Sequence, residues 1–276
     1  MAQANVALSR FDSLKSLLGV EAVNSVATPR HEMGNGWRTL ELIDVTYTYN
    51  GNGNSRPFQL GPINLVLRPG EITFLVGGNG SGKTTLGKVI AGLYGPDAGD
   101  VRLDGEALSR VGQQESRSLF SAVFNDFCLF DDFPGIAPVR MSQARHYLRA
   151  LKLDHTIKIE SGCLSTTEVS QGQRKRLALL VALLEDRPIY LFDEWAAEQD
   201  PEFKESFYRR IIPDLSRNGK AVIVITHDDR YFDLADHLIK LEDGSASRLS
   251  PGFKTHGEST FLKAINLRER FDAKVL

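Results

Sequence analysis

Cysteine is scarce in this 276-residue chain: only Cys128 and Cys163 occur. They form no C-x-x-C pair, and a chain of this length needs no disulfide to hold a core, so a disulfide-stapled scaffold is excluded and a reducing compartment is the simpler reading. Long apolar runs are also missing. The longest, LALLVALL from Leu177 to Leu184, falls far short of the ~20 residues of a membrane-spanning helix. Met1 to Val20 has no basic start followed by an apolar block, so no secretory leader is read there. Charge of one sign is lacking too. Lysine plus arginine number 33 against 35 aspartate plus glutamate, a net charge of -2, so no global field draws the chain to nucleic acid or an anionic membrane. No internal repeat or coiled-coil heptad is found.

With 42% hydrophobic and 25% charged residues, the chain has the composition of an ordinary globular protein, one large domain or a domain with a subdomain. Strands and helices alternate along it. RTLELIDVTYTY, Arg38 to Tyr49, alternates apolar and polar residues as a half-buried strand does, and the Asn/Gly-rich NGNGNSRP ends it. ITFLV, after Pro69-Gly70, predicts a strand buried on both faces, and Leu86, Val89, Ile90 and Leu93 then recur at helical spacing. Val139 to Leu153 predicts a second helix, charged on one face, and Leu177, Leu180, Val181 and Leu184 a third. Two more buried strands follow, IYLF and AVIVIT, so a largely parallel sheet is expected. The ends are less regular: Met1 to Gly36 offers one weak amphipathic helix (Leu8, Phe11, Leu14, Leu18), and Ser245 to Leu276 gives no clear strand.

Between ITFLV and its helix lies GGNGSGKTT, Gly77 to Thr85, which fits G-x-x-x-x-G-K-[ST] through Gly77, Gly82, Lys83 and Thr84. Glycines such as these and Gly80 let successive N–H groups, with Asn79 and Thr85 beside them, turn toward phosphate oxygens, and the helix adds its positive end. Lys83, read as an exposed loop lysine, reaches the terminal phosphates, and Thr84 sets a hydroxyl on Mg²⁺. A serine-hydrolase elbow is excluded, because Asn79 and Lys83 flank Ser81 where that motif needs glycines.

IYLFDE ends a buried strand in two acids. Next to a phosphate loop, Asp193 suits Mg²⁺ and Glu194 suits the polarising of an attacking water. By themselves the two acids would equally solvate a strand end or cap the next helix. VSQGQRKR, Val169 to Arg176, opens the third helix with the S-x-x-Q spacing of a capping box, Ser170 to Gln173, which with Gly172 fits an anion site or a plain cap. His227, in ITHDD, ends the last buried strand, where open α/β sheets place ligands. No second histidine or cysteine stands at zinc spacing from it.

Together these stretches resemble the ATP-binding cassette (ABC) ATPases. GGNGSGKTT is similar to the Walker A loop, VSQGQ to the signature motif usually written LSGGQ, IYLFDE to Walker B with its catalytic glutamate, and AEQD (Ala197 to Asp200) to the D-loop. His227 matches the switch histidine and Tyr49 the aromatic on which adenine stacks. Asn125, in FSAVFNDFCLF, falls where the Q-loop glutamine sits, with Asp126 beside it as the alternative Mg²⁺-facing group. The resemblance runs from Leu40 to Gly244, with the motifs in family order.

The resemblance implies an α/β fold: a phosphate-loop ATPase core with a mainly parallel sheet, an antiparallel β edge and a small helical subdomain (about 131–185). It implies ATP and Mg²⁺ as cofactors, Glu194 and His227 as catalytic residues, and Thr84, Asn125 and Asp193 toward the metal. Tyr49 and the Walker A residues would hold the nucleotide. Ser170, Gly172, Gln173 and Asp200 would complete the site of a second copy in a head-to-tail dimer, leaving one chain alone a weak ATPase.

Four longer stretches, FSAVFNDFCLFDDF, LSTTEVSQGQRKRLALL, DRPIYLFDEWAAEQDPEFKESFY and ITHDDRYFDLADHLIKLEDG, look like the ATPase domains of cyclic-peptide and siderophore-precursor exporters of the pyoverdine and syringomycin type. Those proteins carry a membrane domain ahead of the ATPase. This chain is then either such an ATPase half or a free-standing subunit that docks on a transmembrane partner at the cytoplasmic face of the inner membrane. Residues 1–36 read as a connector, 37–250 as the ATPase domain and 251–276 as a tail. The departures from the family pattern are Asn125 for glutamine, Gln171 for the first signature glycine, and Glu198-Gln199 in a D-loop that is usually small and apolar. Alternatives in other classes are a soluble ABC ATPase acting on a non-transport partner and a nucleotide sensor without turnover. Glu194 and His227 speak against the sensor, and the long coiled coil of the DNA-repair type is absent.

Overall fold

The computed structural model of the chain describes residues 36–49, 57–111, 116–129, 138–160 and 163–249. The readings of a connector helix before Gly36, of the NGNGNSR loop and of the tail from 251 lie outside the described residues. Among those described, no helix is long and apolar enough to cross a membrane.

Among the described residues, twelve strands run in chain order as β1 Leu40–Tyr49, β2 Phe58–Leu67, β3 Ile72–Val76, β4 Ala98–Leu103, β5 Glu106–Ala107, β6 Phe120–Val123, β7 Ile159–Glu160, β8 Cys163–Leu164, β9 Ile189–Asp193, β10 Ala221–Ile225, β11 His237–Glu242 and β12 Ser245–Leu249. The helices are α1 Lys83–Ile90, α2 Leu108–Val111, α3 Pro138–Ala150, α4 Gln171–Glu185, α5 Pro201–Ser206 and α6 Ile212–Arg217, with a π-helical turn Phe207–Ile211 joining the last two. The central sheet has the order β12-β11-β3-β10-β9-β6. Its strands pair in parallel from β11 to β6, and only the β11–β12 hairpin is antiparallel. A second, antiparallel sheet has the order β2-β1-β4-β5.

β3, β9 and β10 are buried at every position, as expected of apolar runs in a sheet covered on both faces. Alternate residues serve opposite cores. Phe74, Tyr190, Phe192, Val222 and Val224 pack with α4 and the Pro201–Arg217 stretch through Leu177, Leu180, Phe203 and Phe207. Leu75, Leu191, Ile223 and Ile225 pack instead with Leu86, Val89 and Ile90 of α1 and Leu40, Leu42 and Val45 of β1.

Several expectations need correction. Leu93 is not on the core face of α1: the helix stops at Ile90, Gly92 turns the chain at φ +68, and Leu93 is 45% exposed. AVIVIT is not the last buried strand, since β11 follows with Leu238–Leu241 buried. Ser245–Leu249 is a strand after all; its register, Leu238↔Leu249 to Glu242↔Ser245, comes from pairing with β11 rather than from any pattern of its own.

The register decides where the chemistry lies. Ile225 pairs with Asp193 on one side and with Leu75 on the other, so β3, β9 and β10 end on one edge of the sheet. That carboxyl-end edge is where open α/β sheets hold ligands.

Candidate active site

β3 runs into the glycine loop at Gly77, where the backbone (φ +146) and the space both demand glycine. An added Cβ would lie 2.2 Å from the Leu241 carbonyl oxygen and 2.9 Å from Ser81 Oγ. At Gly82 (φ +99) a Cβ would meet the Phe58 ring at 2.8 Å. Gly80 also has positive φ, beside an exposed Asn79. Gly82 caps α1 without a side-chain hydrogen bond, so the N–H groups of the first turn, Lys83, Thr84 and Thr85, remain available to an anion. Lys83 is buried, 6% exposed, contrary to the exposed loop lysine expected. Its Nζ donates to the carbonyls of Gly77 (3.0 Å) and Gly78 (2.8 Å). Burial pushes its pKa down, opposed by the charges of Glu194 and Asp193.

Asp193, the last residue of β9, is 2% exposed. Its Oδ2 accepts the Thr84 hydroxyl at 2.9 Å, while Oδ1 is buried with no hydrogen-bond partner, as is Ser81 Oγ. Burial pushes the Asp193 carboxyl up, the Thr84 bond working against it. A buried carboxylate oxygen left unpaired next to a threonine hydroxyl and a glycine cradle is a donor set that suits Mg²⁺ with a polyphosphate.

Glu194 follows in the left-handed conformation, φ 48 and ψ 30, which costs a non-glycine residue about 1–3 kcal/mol unless its surroundings hold it. Here they do. Its N–H donates to the Ile225 carbonyl (3.0 Å), and its carbonyl accepts from the Ala197 N–H (3.2 Å) and Lys175 Nζ (3.2 Å). The turn aims the carboxylate at His227, whose Nε2 lies 3.0 Å from Glu194 Oε1. Both side chains are partly exposed and line a cleft of about 330 Å³ with Lys204, Tyr208 and Asp228. The cleft wall is braced by Tyr208, whose hydroxyl meets Thr226 Oγ1 at 2.8 Å and whose pKa burial pushes up to about 12.

The remaining candidates are arranged in smaller groups. Tyr49, 48% exposed, ends β1. Tyr47, two residues earlier, is occupied by stacking on Tyr94, centroids 5.1 Å apart, whereas no ring contact to Tyr49 is found among the described residues. Asn125 and Asp126 are exposed just beyond β6, and Asp126 Oδ2 is taken by Lys88 Nζ of α1 at 3.1 Å. Ser170 and Gln173 form the complete capping box at the start of α4. Asp200 caps α5 by accepting the Phe203 N–H (2.9 Å), which holds its carboxyl below the usual range, and it also pairs with Arg176. Lys83, Thr84, Asp193, Glu194 and His227 therefore gather at one sheet edge, whereas Ser170, Gly172 and Gln173 group with Asp200 through Arg176 and Gln199.

A family model described as "ABC transporter" matches residues 60–197. The chain belongs to the ABC transporter family. Over 212 residues this ABC ATPase is 50% identical to the ATP-binding protein SyrD of Pseudomonas syringae pv. syringae, a match that covers 75% of the chain but only 38% of SyrD. It superposes on a bacterial Atm1-family ABC exporter solved with ATP bound (TM-score 0.67, 18% identity, 99% of this chain and 48% of that one). It also superposes on a dimeric ATP-binding cassette in a post-hydrolysis state bound to ADP and Pi (TM-score 0.63, 24% identity, 78% of this chain and 100% of that one). The fold is that of an ABC ATPase: a phosphate-loop core with a mainly parallel sheet, an antiparallel β edge and a helical part.

No role for Lys175, Arg176 or Gln199 was legible in the sequence of this ABC ATPase, yet they hold α4 to the loop after β9. Their only signal was the polar pair Glu198-Gln199 in a D-loop that is usually apolar.

Proposed function

We propose that this ABC ATPase domain hydrolyses ATP with Mg²⁺ in a head-to-tail pair of copies, and that the cycle powers export of a peptide or siderophore-like cargo through a transmembrane domain at the cytoplasmic face of the inner membrane. The observation that carries the proposal is the convergence of Thr84, Asp193, Glu194 and His227 on the edge of the sheet where Lys83 and the glycine loop lie. The 50% identity to SyrD supports the exporter part.

Lys83 exchanges its two carbonyl partners for phosphate oxygens, and the free N–H groups of α1 bind the rest of the polyphosphate. Mg²⁺, when bound, neutralises charge on the phosphates; Thr84 and the orphan Oδ1 of Asp193 would hold it, with Asn125 facing it from the Q-loop. Glu194 accepts the proton of the attacking water, and His227 fixes the orientation of the Glu194 carboxylate. Tyr49 stacks on the base. Ser170, Gly172 and Gln173 of a second copy, with its Asp200, close the site, so turnover requires pairing. Residues 37–250 form the ATPase domain in this reading, joined to the membrane domain by 1–36.

Glu194→Gln keeps shape and removes the base. It should slow phosphate release by roughly 10²–10⁴-fold and accumulate an ATP-bound dimer on size exclusion. Full turnover in the variant would sink the assignment of Glu194; an ATP-loaded variant that stays monomeric when joined to its membrane domain would sink the dimer.

A further inference from the structure

We propose that Gln199 and Lys175 are positioning residues: within one chain they fasten the loop that carries Glu194 to the start of α4, so that Glu194 and the Ser170–Gln173 helix start move as one body. The inference rests on Glu194 acting as the base.

Gln199 is 7% exposed and uses both ends of its amide. Nε2 donates to the Gly172 carbonyl at 3.1 Å, and Oε1 accepts from Arg176 Nε at 2.9 Å, which only one orientation of the amide satisfies. Lys175 is 2% exposed. Its Nζ donates to the Glu194 carbonyl at 3.2 Å and lies 3.6 Å from Glu198 Oε1, and its own carbonyl accepts from Trp195 Nε1 at 2.7 Å. A buried ammonium needs such partners. The departure from an apolar D-loop is thereby accounted for: Glu198 and Gln199 are the loop's half of a polar seam, and Lys175 and Arg176 are the helix's half.

The seam reaches the backbone of the base itself. Glu194 is left-handed, and two of the bonds that hold it there are its N–H to Ile225 and its carbonyl to Lys175. A displacement of the start of α4, as when it closes on a nucleotide held by another copy, would pull directly on Glu194 in its own site. An apolar residue at 199 and an uncharged one at 175 would leave the two elements to move separately. Turnover should therefore depend on ATP cooperatively in this protein.

The test uses Gln199→Leu and Lys175→Met in the 276-residue chain. Without nucleotide, hydrogen exchange over 194–199 should rise roughly tenfold, the reach of a lost hydrogen bond, while α1 is unchanged. With Mg²⁺ and ATP, kcat should fall by about tenfold, ATP affinity should stay within about twofold and the sigmoidal ATP dependence should flatten. Glu198→Ala, at a partly exposed position, should act in the same direction and carries the test if the other two do not fold. Unchanged exchange over 194–199 would overturn the proposal, as would faster exchange with unchanged kcat and cooperativity, or a parallel loss of ATP affinity. A wild-type chain without turnover even when joined to its membrane domain would sink the catalytic reading instead, while exchange still decides the seam.

Discussion

His227 Nε2 lies 3.0 Å from Glu194 Oε1, although the two residues are 33 apart in sequence. Parallel pairing of β9 with β10, Ile225 opposite Asp193, sets them side by side. If His227 orients the base, His227→Ala should lower kcat by roughly 10–10²-fold, at or below the low end of acid–base effects. ATP affinity should be nearly unchanged. Steady-state turnover against equilibrium nucleotide binding decides it, and equal losses in both would contradict an orienting role.

Lys83 is buried against the carbonyls of Gly77 and Gly78, so truncation to alanine removes packing as well as charge. Lys83→Met keeps most of the stem. It should lose tight ATP binding while retaining its circular dichroism spectrum and melting close to wild type. Unchanged ATP affinity in the folded variant would remove the phosphate-loop assignment.

Burial raises the Asp193 pKa, and its Oδ1 has no partner. The folded state binds the proton more tightly than the unfolded chain, so stability falls as pH rises from the ordinary carboxylate value through the raised one, and the loss persists at neutral pH. Asp193→Asn removes that loss and still accepts the Thr84 hydroxyl. With its oxygen on the Thr84 hydroxyl, its NH2 takes the unpartnered place, so what the nucleotide-free variant loses is the buried charge, and it should be more stable than wild type at neutral pH. Thermal melting at neutral pH should show a rise, shrinking as pH falls through the raised value, and Mg²⁺-dependent turnover should be lost. A fall in melting temperature would refute the strain assigned to this carboxylate.

Asn125 and Asp126 separate by their partners. Asp126 is paired with Lys88 and its side chain is 72% exposed, so Asp126→Ala should cost less than ~1 kcal/mol and leave the Mg²⁺ dependence of turnover as it was. Asn125→Ala should lower turnover by more than it lowers ATP affinity, because water positioning tolerates error poorly. Titrating Mg²⁺ for both variants assigns the Q-loop position; a Mg²⁺ shift in the Asp126 variant alone would move it by one residue.

Much of this was legible because the interactions are local. The phosphate loop is a turn and a helix start within nine residues, Gly77 to Thr85, directly after a strand that ends at Val76, and Gly77, Gly80 and Gly82 in it hold positive φ. The Ser170–Gln173 capping box joins residues three apart, and the double-sided burial of ITFLV, IYLFD and AVIVI follows from their apolar runs. Local sequence thus determined a phosphate-loop ATPase core with a parallel sheet, and the order of its motifs determined the family. Only tertiary structure decided the rest. β12 takes its register from β11, and the burial of Lys83 comes from packing that no local pattern announces. The partners of Glu198 and Gln199 lie more than twenty residues back, on α4. A side chain's type states which hydrogen bonds it can make; which ones it does make depends on where strand register and helix packing set groups that are distant along the chain.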